Sequence, residues 1–244
     1  MTHAHANNRR TFLKTAATTS AGLWLASLPA AARGNQPPPP SPAGKKEEPA
    51  EDISPVEDLM REHGLLERVL LVYDEAQRRI DAKADLPPEP PLKAADLIRR
   101  FVEDYHERLE EQHLFPRFRK ANKLADLADV LLQQHEAGRR LTDEIRQRAT
   151  AAALKNPDES RKLAESLRTF NRMYRPHAAR EDTVLFPAFH TLVTPEEYDK
   201  LGDEFEDQEH ALFGVDGFEK MVGEVAAIEK SLGIYELAQF TPRA

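Results

Sequence analysis

One histidine–glutamate pair and one short apolar tag occur twice in the chain, 71 residues apart. The first copy consists of His106, Glu110 and Leu114-Phe115-Pro116. The second copy consists of His177, Glu181 and Leu185-Phe186-Pro187. A recurrence of this kind indicates two copies of one structural unit, and the fold has to accommodate both of them.

Each copy also has one histidine far upstream of its pair. His63 lies 43 residues before His106, and His135 lies 42 residues before His177. Side chains four residues apart stand on one face of a helix, so the histidine and the glutamate of a pair can reach the same point. Two such helices, together with two that each supply one histidine, would bring four imidazoles and two carboxylates together. This combination predicts a dinuclear metal site, because imidazole and carboxylate suit iron, manganese or zinc.

A purely structural interpretation explains the tags but not the pairs. Leu114, Phe115, Leu185 and Phe186 would pack in a helical core, and the proline of each tag would bend or end its helix. A stripe of histidine and glutamate facing a core would be costly without partners. Four of the seven histidines after residue 32 fall on the repeat at matched spacing, which favours metal ligation.

The starts of several helices share one pattern, in which a capping side chain is followed by proline and then by acidic residues. The pattern occurs at Ser54-Pro55-Val56-Glu57, Asn156-Pro157-Asp158-Glu159 and Thr194-Pro195-Glu196-Glu197. With the apolar periodicity, it predicts helices near 55–81, 92–121, 123–154, 157–192, 195–213 and 215–232. No segment has the pattern of a strand. We expect an all-α protein whose first four helices form an up-down four-helix bundle, with two additional C-terminal helices packed outside it.

The two copies differ at the residue before the second histidine. Pro176 precedes His177, whereas Tyr105 stands at that place in the first copy. Proline removes a backbone donor and frees the carbonyl of Arg172, which predicts a local kink or bulge there. We therefore expect two halves that are chemically inequivalent.

The N-terminus has the pattern of an export signal. Arg9-Arg10 precede Phe12-Leu13-Lys14, a weakly apolar run covers 15–28, and Ala30-Ala31-Ala32 offers a cleavage site. The run is short for a bilayer span, so we expect a twin-arginine signal peptide over 1–32 and a periplasmic product with no stable membrane span in its mature form.

The composition indicates the remaining domain boundaries, and it excludes cysteine-dependent chemistry and argues against nucleic-acid binding. A Pro-rich linker is expected over 33–53, the metal-binding domain over 54–192 and a helical extension over 193–244. The absence of cysteine excludes disulfides, thiolate ligands and iron–sulfur clusters. After residue 32 the chain has 31 basic against 42 acidic side chains, a net charge of −11, and no basic stripe. Nucleic acid is therefore not an expected partner.

These motifs resemble the hemerythrin family in its broad sense, the HHE cation-binding domain, over residues 54–192. Members are up-down four-helix bundles that hold a non-haem di-iron centre. The resemblance therefore implies a cofactor of two iron ions bridged by an oxo group and by carboxylates. Both glutamates of the repeat would bridge the irons, and the four histidines would be terminal ligands. Carried over by position, the implied metal ligands are His63, His106, Glu110, His135, His177 and Glu181.

The resemblance also narrows the function. Oxygen-carrying members use five histidines with one glutamate and one aspartate, whereas the symmetric set here resembles a bacterial branch linked to nitric oxide, peroxide and iron handling. We expect a protein that binds or senses O2, NO or peroxide, or that handles iron; no protein partner is indicated. The alternatives are a di-iron enzyme that breaks down peroxide or oxidises a substrate, and a metal-free or zinc-bound helical interaction module.

Three further histidines and one rival arrangement need separate interpretations. His113 lies seven residues after His106 on the same helical face, and we expect it to support a ligand, with direct ligation as the alternative. His190 and His210 are expected to be structural or exposed. A ferritin-like site would need Glu-x-x-His triplets on two helices. Glu103 begins such a triplet, but its counterpart in the second copy is Tyr174.

Overall fold

The computed structural model describes residues 53–242, and all the regular elements in that range are helices. The all-α prediction is therefore confirmed. The predicted signal peptide and the linker up to residue 52 lie outside the described residues. Within 53–242, no helix has both the length and the apolar character needed to cross a bilayer.

Four long helices form the bundle, and two more follow them. Each bundle helix packs against its two neighbours in the cyclic order α1, α2, α3, α5. The short α4 connects α3 to α5. In chain order the helices are α1 at Pro55–Asp81, α2 from Glu89 to Lys120, α3 at Ala125–Arg148, α4 at Ala151–Lys155, α5 from Pro157 to Phe189, α6 at Pro195–Phe213 and α7 at Gly217–Leu232.

Side-chain caps start the helices where the sequence predicts them. Ser54 Oγ accepts a hydrogen bond from the Glu57 backbone N–H, and Asn156 and Thr194 cap α5 and α6 in the same way. Each cap satisfies a backbone donor that has no partner within the helix. Gly233 ends α7 with φ of 72°, a left-handed conformation that glycine adopts readily.

The third predicted helix, over 123–154, is wrong in its extent. Leu124 has φ of 50°, so the helix begins only at Ala125. It ends at Arg148, and Thr150 Oγ1 accepts a hydrogen bond from the Ala153 N–H to start α4 separately. The capping preference of threonine therefore outweighs the helical propensity of the alanine-rich segment around it.

The apolar stripe of α1 shows how the bundle buries a histidine. The buried side chains of this stripe recur every three or four residues, the spacing of one helix face. His63 occupies a position on that same face and is therefore directed into the bundle. The other members of the stripe are Leu59, Leu66, Leu70, Tyr73 and Ala76.

α2 and α5 contain π-helical turns at corresponding positions. In α2 one such turn covers Glu110–Leu114 and another covers Ile98–His106, and in α5 one covers Glu181–Leu185. Turns of this type are frequent at functional sites. Pro176 lies inside the regular α-helical part of α5, so the expected bulge is not at the proline but at Glu181, matching the bulge at Glu110.

The two C-terminal helices pack outside the bundle, against α1 and α2, as predicted. Phe205 of α6 and Val225 of α7 are fully buried and join the core of the bundle. Phe213 lies 5.5 Å from the ring of Phe101. Extension and bundle therefore share one hydrophobic core.

Candidate metal centre

Six buried side chains converge between the four bundle helices in two groups of three. Within each group, the candidate ligand atoms all lie within 4.8 Å of one another. None of the six side chains is more than 4% exposed. Group A consists of His63, His106 and Glu110. Group B consists of His135, His177 and Glu181.

Each carboxylate lies between the two groups. Glu110 Oε2 is 3.7 Å from His106 Nε2 in its own group and 3.4 Å from His135 Nε2 in the other. Glu181 Oε2 is likewise 3.1 Å from His177 Nε2 and 3.4 Å from His63 Nε2. Both glutamates are therefore positioned to share their oxygens between two cation positions. The pseudo-symmetry of the pair follows the repeat in the sequence.

The outer nitrogen of every imidazole in the two groups is held by a polar side chain. Each Nδ1 contacts a carboxylate or amide oxygen, and each Nε2 faces the interior. Such contacts fix the orientation of an imidazole and raise its basicity as a metal ligand. The four pairs are His63 with Asp182 at 2.7 Å, His106 with Glu62 at 2.7 Å, His135 with Glu111 at 3.1 Å and His177 with Gln134 at 2.9 Å.

The repeat unit did not include these four partners, although the sequence contains a signal for them. Glu62 and Gln134 directly precede the lone histidines, and Glu111 and Asp182 directly follow the repeated glutamates. Adjacent residues on a helix differ in direction by about 100°, so each partner faces a neighbouring helix rather than its own neighbour in sequence. The polar residue beside each ligand thus supports a ligand on another helix.

The phenylalanine of each tag packs on a histidine from the other copy. Phe115 lies 5.4 Å from the ring of His135, and Phe186 stacks on His63 at 5.5 Å. All four side chains are buried. The tags therefore belong to the core, as predicted, and also form apolar walls around the imidazoles.

The hydrogen bonding of the six side chains fits a bound cation. Both carboxylate oxygens of Glu110 and of Glu181, and Nε2 of His135, have no hydrogen-bond partner among the described residues. A buried carboxylate without a hydrogen bond is disfavoured, whereas a divalent ion between the two carboxylates would supply compensating charge. Oxygen and nitrogen donors without thiolate suit iron, manganese or zinc.

The proton affinities of the same groups are widely separated. Burial lowers the pKa of His63, but Asp182 and Glu181 outweigh that effect and raise it to about 9. Burial lowers the pKa of His135 to about 4. Burial, with the charge of Glu181, raises the pKa of Glu110 well above its usual range. At neutral pH His63 therefore holds a proton in the metal-free site, and a metal ion bound there would have to displace it.

A hydrogen-bonded network extends from group B across α2 and α3. Tyr174 donates from its hydroxyl to Glu107 Oε1 at 2.7 Å, and Arg139 donates to Glu107 Oε2 at 2.8 Å. Arg139 also donates to Glu111 Oε1 at 2.6 Å, the oxygen that contacts His135. The ring of Tyr174 packs edge-on against a group B imidazole at 5.4 Å. This network therefore ties the support of group B to an arginine.

The structure does not bring His113 into either group. Its ring packs against Phe205 at 5.3 Å, and its Nε2 lies 4.0 Å from Glu204 Oε1. The π turn that begins at Glu110 adds a residue to the helix, which shifts later side chains by about 100° around the axis. His113 consequently faces α6, so the expected contact with a ligand is not present.

The other sequence candidates also lie apart from the two groups. His190 is exposed and shares a 3.0 Å hydrogen bond with the Tyr198 hydroxyl, and His210 lies 3.8 Å from Glu206. Glu103 accepts a hydrogen bond from the Thr142 hydroxyl and is not part of either group. Hence the ferritin-like triplet does not form a site.

The fold and the two groups define a helical-bundle protein with a buried, pseudo-symmetric centre of histidine and carboxylate. The chain matches the description "Hemerythrin HHE cation binding domain" over residues 54–189, more than half of its length, and it belongs to that family. Metal binding, typically of iron, is characteristic of such domains.

Proteins similar to this chain are found in mycobacteria. The uncharacterized protein Mb2018 of Mycobacterium bovis and the uncharacterized proteins MT2051 and Rv1995 of Mycobacterium tuberculosis are each 48% identical to it over 209 residues. The match covers 84% of this chain and 82% of each relative. No solved structure matches the chain.

Proposed function

We propose that this protein holds a non-haem di-iron centre and uses it to bind or sense O2, NO or peroxide, or to handle iron. The proposed ligands are His63, His106, Glu110, His135, His177 and Glu181. The observation that supports the proposal most strongly is the position of Glu110 and Glu181. Each of them lies within 3.7 Å of one histidine of group A and one histidine of group B. Carboxylates so placed suit two ions rather than one.

The number of protein donors supports iron and a small ligand. Each ion would have two imidazoles of its own group and a share of both carboxylates. Iron accepts five or six donors, so this set leaves room for a diatomic molecule or peroxide, whereas tetrahedral zinc would be saturated. Phe115 and Phe186 would line this space with apolar surface.

Reconstitution with ferrous iron under anaerobic conditions, followed by air oxidation, tests the proposal. We expect two irons per chain and the near-ultraviolet charge-transfer absorption of an oxo-bridged ferric pair. Glu181→Gln should reduce the iron content to one or none, because it removes a bridging anion. His210→Ala is the matched control, since this histidine lies outside both groups, and it should retain two irons.

Two results would contradict the proposal. One is a reconstituted protein without iron or without the charge-transfer absorption. The other is a purified protein that holds zinc and takes up no iron in competition, which would favour the zinc-bound interaction module.

We further propose that the domain is exported to the periplasm by the twin-arginine route. The motivation is the Arg9-Arg10 pattern with the apolar run and the tri-alanine segment that follow it. This route transports folded proteins, so the irons would be inserted before export.

A further inference from the structure

A cleft lies where the C-terminal helix α7 packs against the bundle. The N-terminal half of α2 forms one wall, α7 forms the opposite wall, and the end of α3 contributes Arg146. The volume of the cleft is about 710 Å³. Sites for small molecules usually enclose about 300–1,000 Å³, so the cleft has room for a small organic ligand.

Both walls of the cleft contribute apolar surface. Pro87 and Pro90 lie on the α2 side, and Ala227 and Ile228 lie on the α7 side. Pro90 and Ile228 are buried and form the base, whereas Ala227 is exposed. An apolar ligand that covers this base would remove apolar surface from water, which favours binding.

The charged side chains of the cleft are mainly basic. Four cations and three carboxylates line it, whereas acidic side chains outnumber basic ones in the chain after residue 32. Lys93, Arg100 and Arg146 are exposed at its rim. A cleft that collects positive charge on an acidic protein attracts anions rather than cations.

The cations at the rim have donors to offer a ligand. Arg146 donates from Nε to Asp96 at 2.7 Å, and Arg100 donates from one terminal nitrogen to Glu224 at 2.7 Å. A guanidinium has five N–H donors, so most of those at both arginines remain for an anion. No carboxylate among residues 53–242 pairs with Lys93. A ligand carboxylate could therefore bind at the rim while both ion pairs are kept.

The cleft is distinct from the metal centre. Arg99, which lines it, contacts Glu103 at 2.8 Å, and Glu103 belongs to neither group of ligands. The wall formed by α7 also lies beyond residues 54–189, which match the family. The cleft is thus a product of the C-terminal extension.

We propose that this cleft is a binding site for an organic acid with a long apolar chain, the chemistry of a fatty acid. The carboxylate lies at the rim beside Lys93, Arg100 and Arg146, and the chain covers Pro90 and Ile228. This site is additional to the proposed di-iron function and does not depend on it.

Isothermal titration calorimetry of the full chain with dodecanoate, below its micelle concentration, tests the proposal. We expect one dodecanoate per chain, with an affinity that falls as salt is added. Dodecyl maltoside has the same chain with a neutral head, and it should bind about 10-fold more weakly or less. Acetate, which lacks the chain, should show no binding.

Two pairs of variants locate the site. Ala227→Trp fills the cleft and should abolish binding, whereas Ala152→Trp is the matched control at an exposed position on α4. The affinity of that control should equal that of the wild type.

The second pair tests the charges at the rim. Lys93→Gln combined with Arg146→Gln should weaken dodecanoate binding by about 10-fold and leave the affinity for dodecyl maltoside unchanged. Arg140→Gln combined with Lys155→Gln removes the same charge at two exposed positions outside the cleft, and it should alter neither affinity.

Several results would overturn the proposal. They are an absence of dodecanoate binding, equal affinities for dodecanoate and dodecyl maltoside, and binding that Ala227→Trp leaves intact in a variant whose circular dichroism shows it to be folded. Sedimentation of the protein with phosphatidylglycerol vesicles, without binding of free dodecanoate, would assign the surface to a membrane instead. Titrations of metal-free and iron-loaded protein should agree, so a failure of the di-iron proposal would leave this test valid.

Discussion

The hydroxyl of Tyr174 lies directly over Gly138, so close that a Cβ atom on the glycine would stand 1.9 Å from the oxygen. Helices α3 and α5 approach each other at this point because the glycine has no side chain. The contact places the phenol where it donates to Glu107, one residue after a group A histidine. Packing between two helices thus fixes a polar network at the centre.

Gly138→Ala should therefore destabilise the protein, because the new methyl group forces the tyrosine ring or the helix to move. We expect a loss of about 1–3 kcal/mol in the free energy of unfolding, measured by urea denaturation. Gly223→Ala in α7 is the control, since nothing lies within 4 Å of its Cβ position. That variant should gain about 0.5–1 kcal/mol from helix propensity. Equal effects of the two substitutions would contradict the close contact.

Glu110→Gln should separate stability from metal binding. In the metal-free protein it replaces a buried acid whose oxygens have no hydrogen-bond partner among the described residues, so we expect stability to rise by about 1–3 kcal/mol. In the iron-loaded protein it removes a bridging anion and should lower the melting temperature. The exposed Glu136→Gln should do neither. Thermal unfolding with and without chelator measures both effects, and a variant less stable than wild type in both states would contradict this account.

Glu103 predicts a specific pH dependence of the metal-free protein. Burial raises the pKa of Glu103 from 4.5, although Thr142 and Arg99 partly oppose that shift. In the pH interval between 4.5 and its raised pKa, Glu103 therefore holds a proton in the folded state that it has released in the unfolded state. The contribution of Glu103 to the free energy of unfolding is therefore fully present below pH 4.5. It is lost as the pH rises through the pKa of Glu103 in the folded protein.

Glu103→Gln removes that titration and keeps an oxygen that can accept from Thr142. Urea denaturation in the presence of chelator should show the stability of the variant relative to wild type increasing from acid to neutral pH. A difference that stays constant over this interval, or that shrinks, would show that the carboxyl group is ionised in the folded protein.

Replacement of both Arg9 and Arg10 by Lys should leave the precursor in the cytoplasm. The twin-arginine route requires the arginine pair, whereas general secretion tolerates lysine. Fractionation of cells and immunodetection of precursor and product measure the effect, with Lys45→Arg in the predicted linker as a control. Full export of the double-lysine variant, with its iron, would make general secretion the correct route.

The repeat in the sequence predicted the fold class and predicted that the six residues of groups A and B would converge. Helical spacing alone places His106 with Glu110 and His177 with Glu181. It could not predict the π turns, which depend on how the helices pack, and this is why the orientation of His113 was missed. Gln134 and Glu62 were missed for a different reason. They act across helices, and the pairing of neighbouring helices is not encoded in the spacing of any one of them.

The boundary between α3 and α4 shows a similar limit. Apolar periodicity continues through Ala149 and Thr150, so the pattern predicts one helix. The threonine hydroxyl instead caps a new helix at Ala151, an interaction of one side chain with the local backbone that periodicity does not register.

Anomalous diffraction at the iron absorption edge, from crystals of the reconstituted protein, tests the central claim most directly. We predict two peaks per chain, about 3.5–4 Å apart, one beside His63 and His106 and the other beside His135 and His177, with both glutamates between them. A single peak in the bundle, or iron bound only at surface carboxylates, would contradict the di-iron centre.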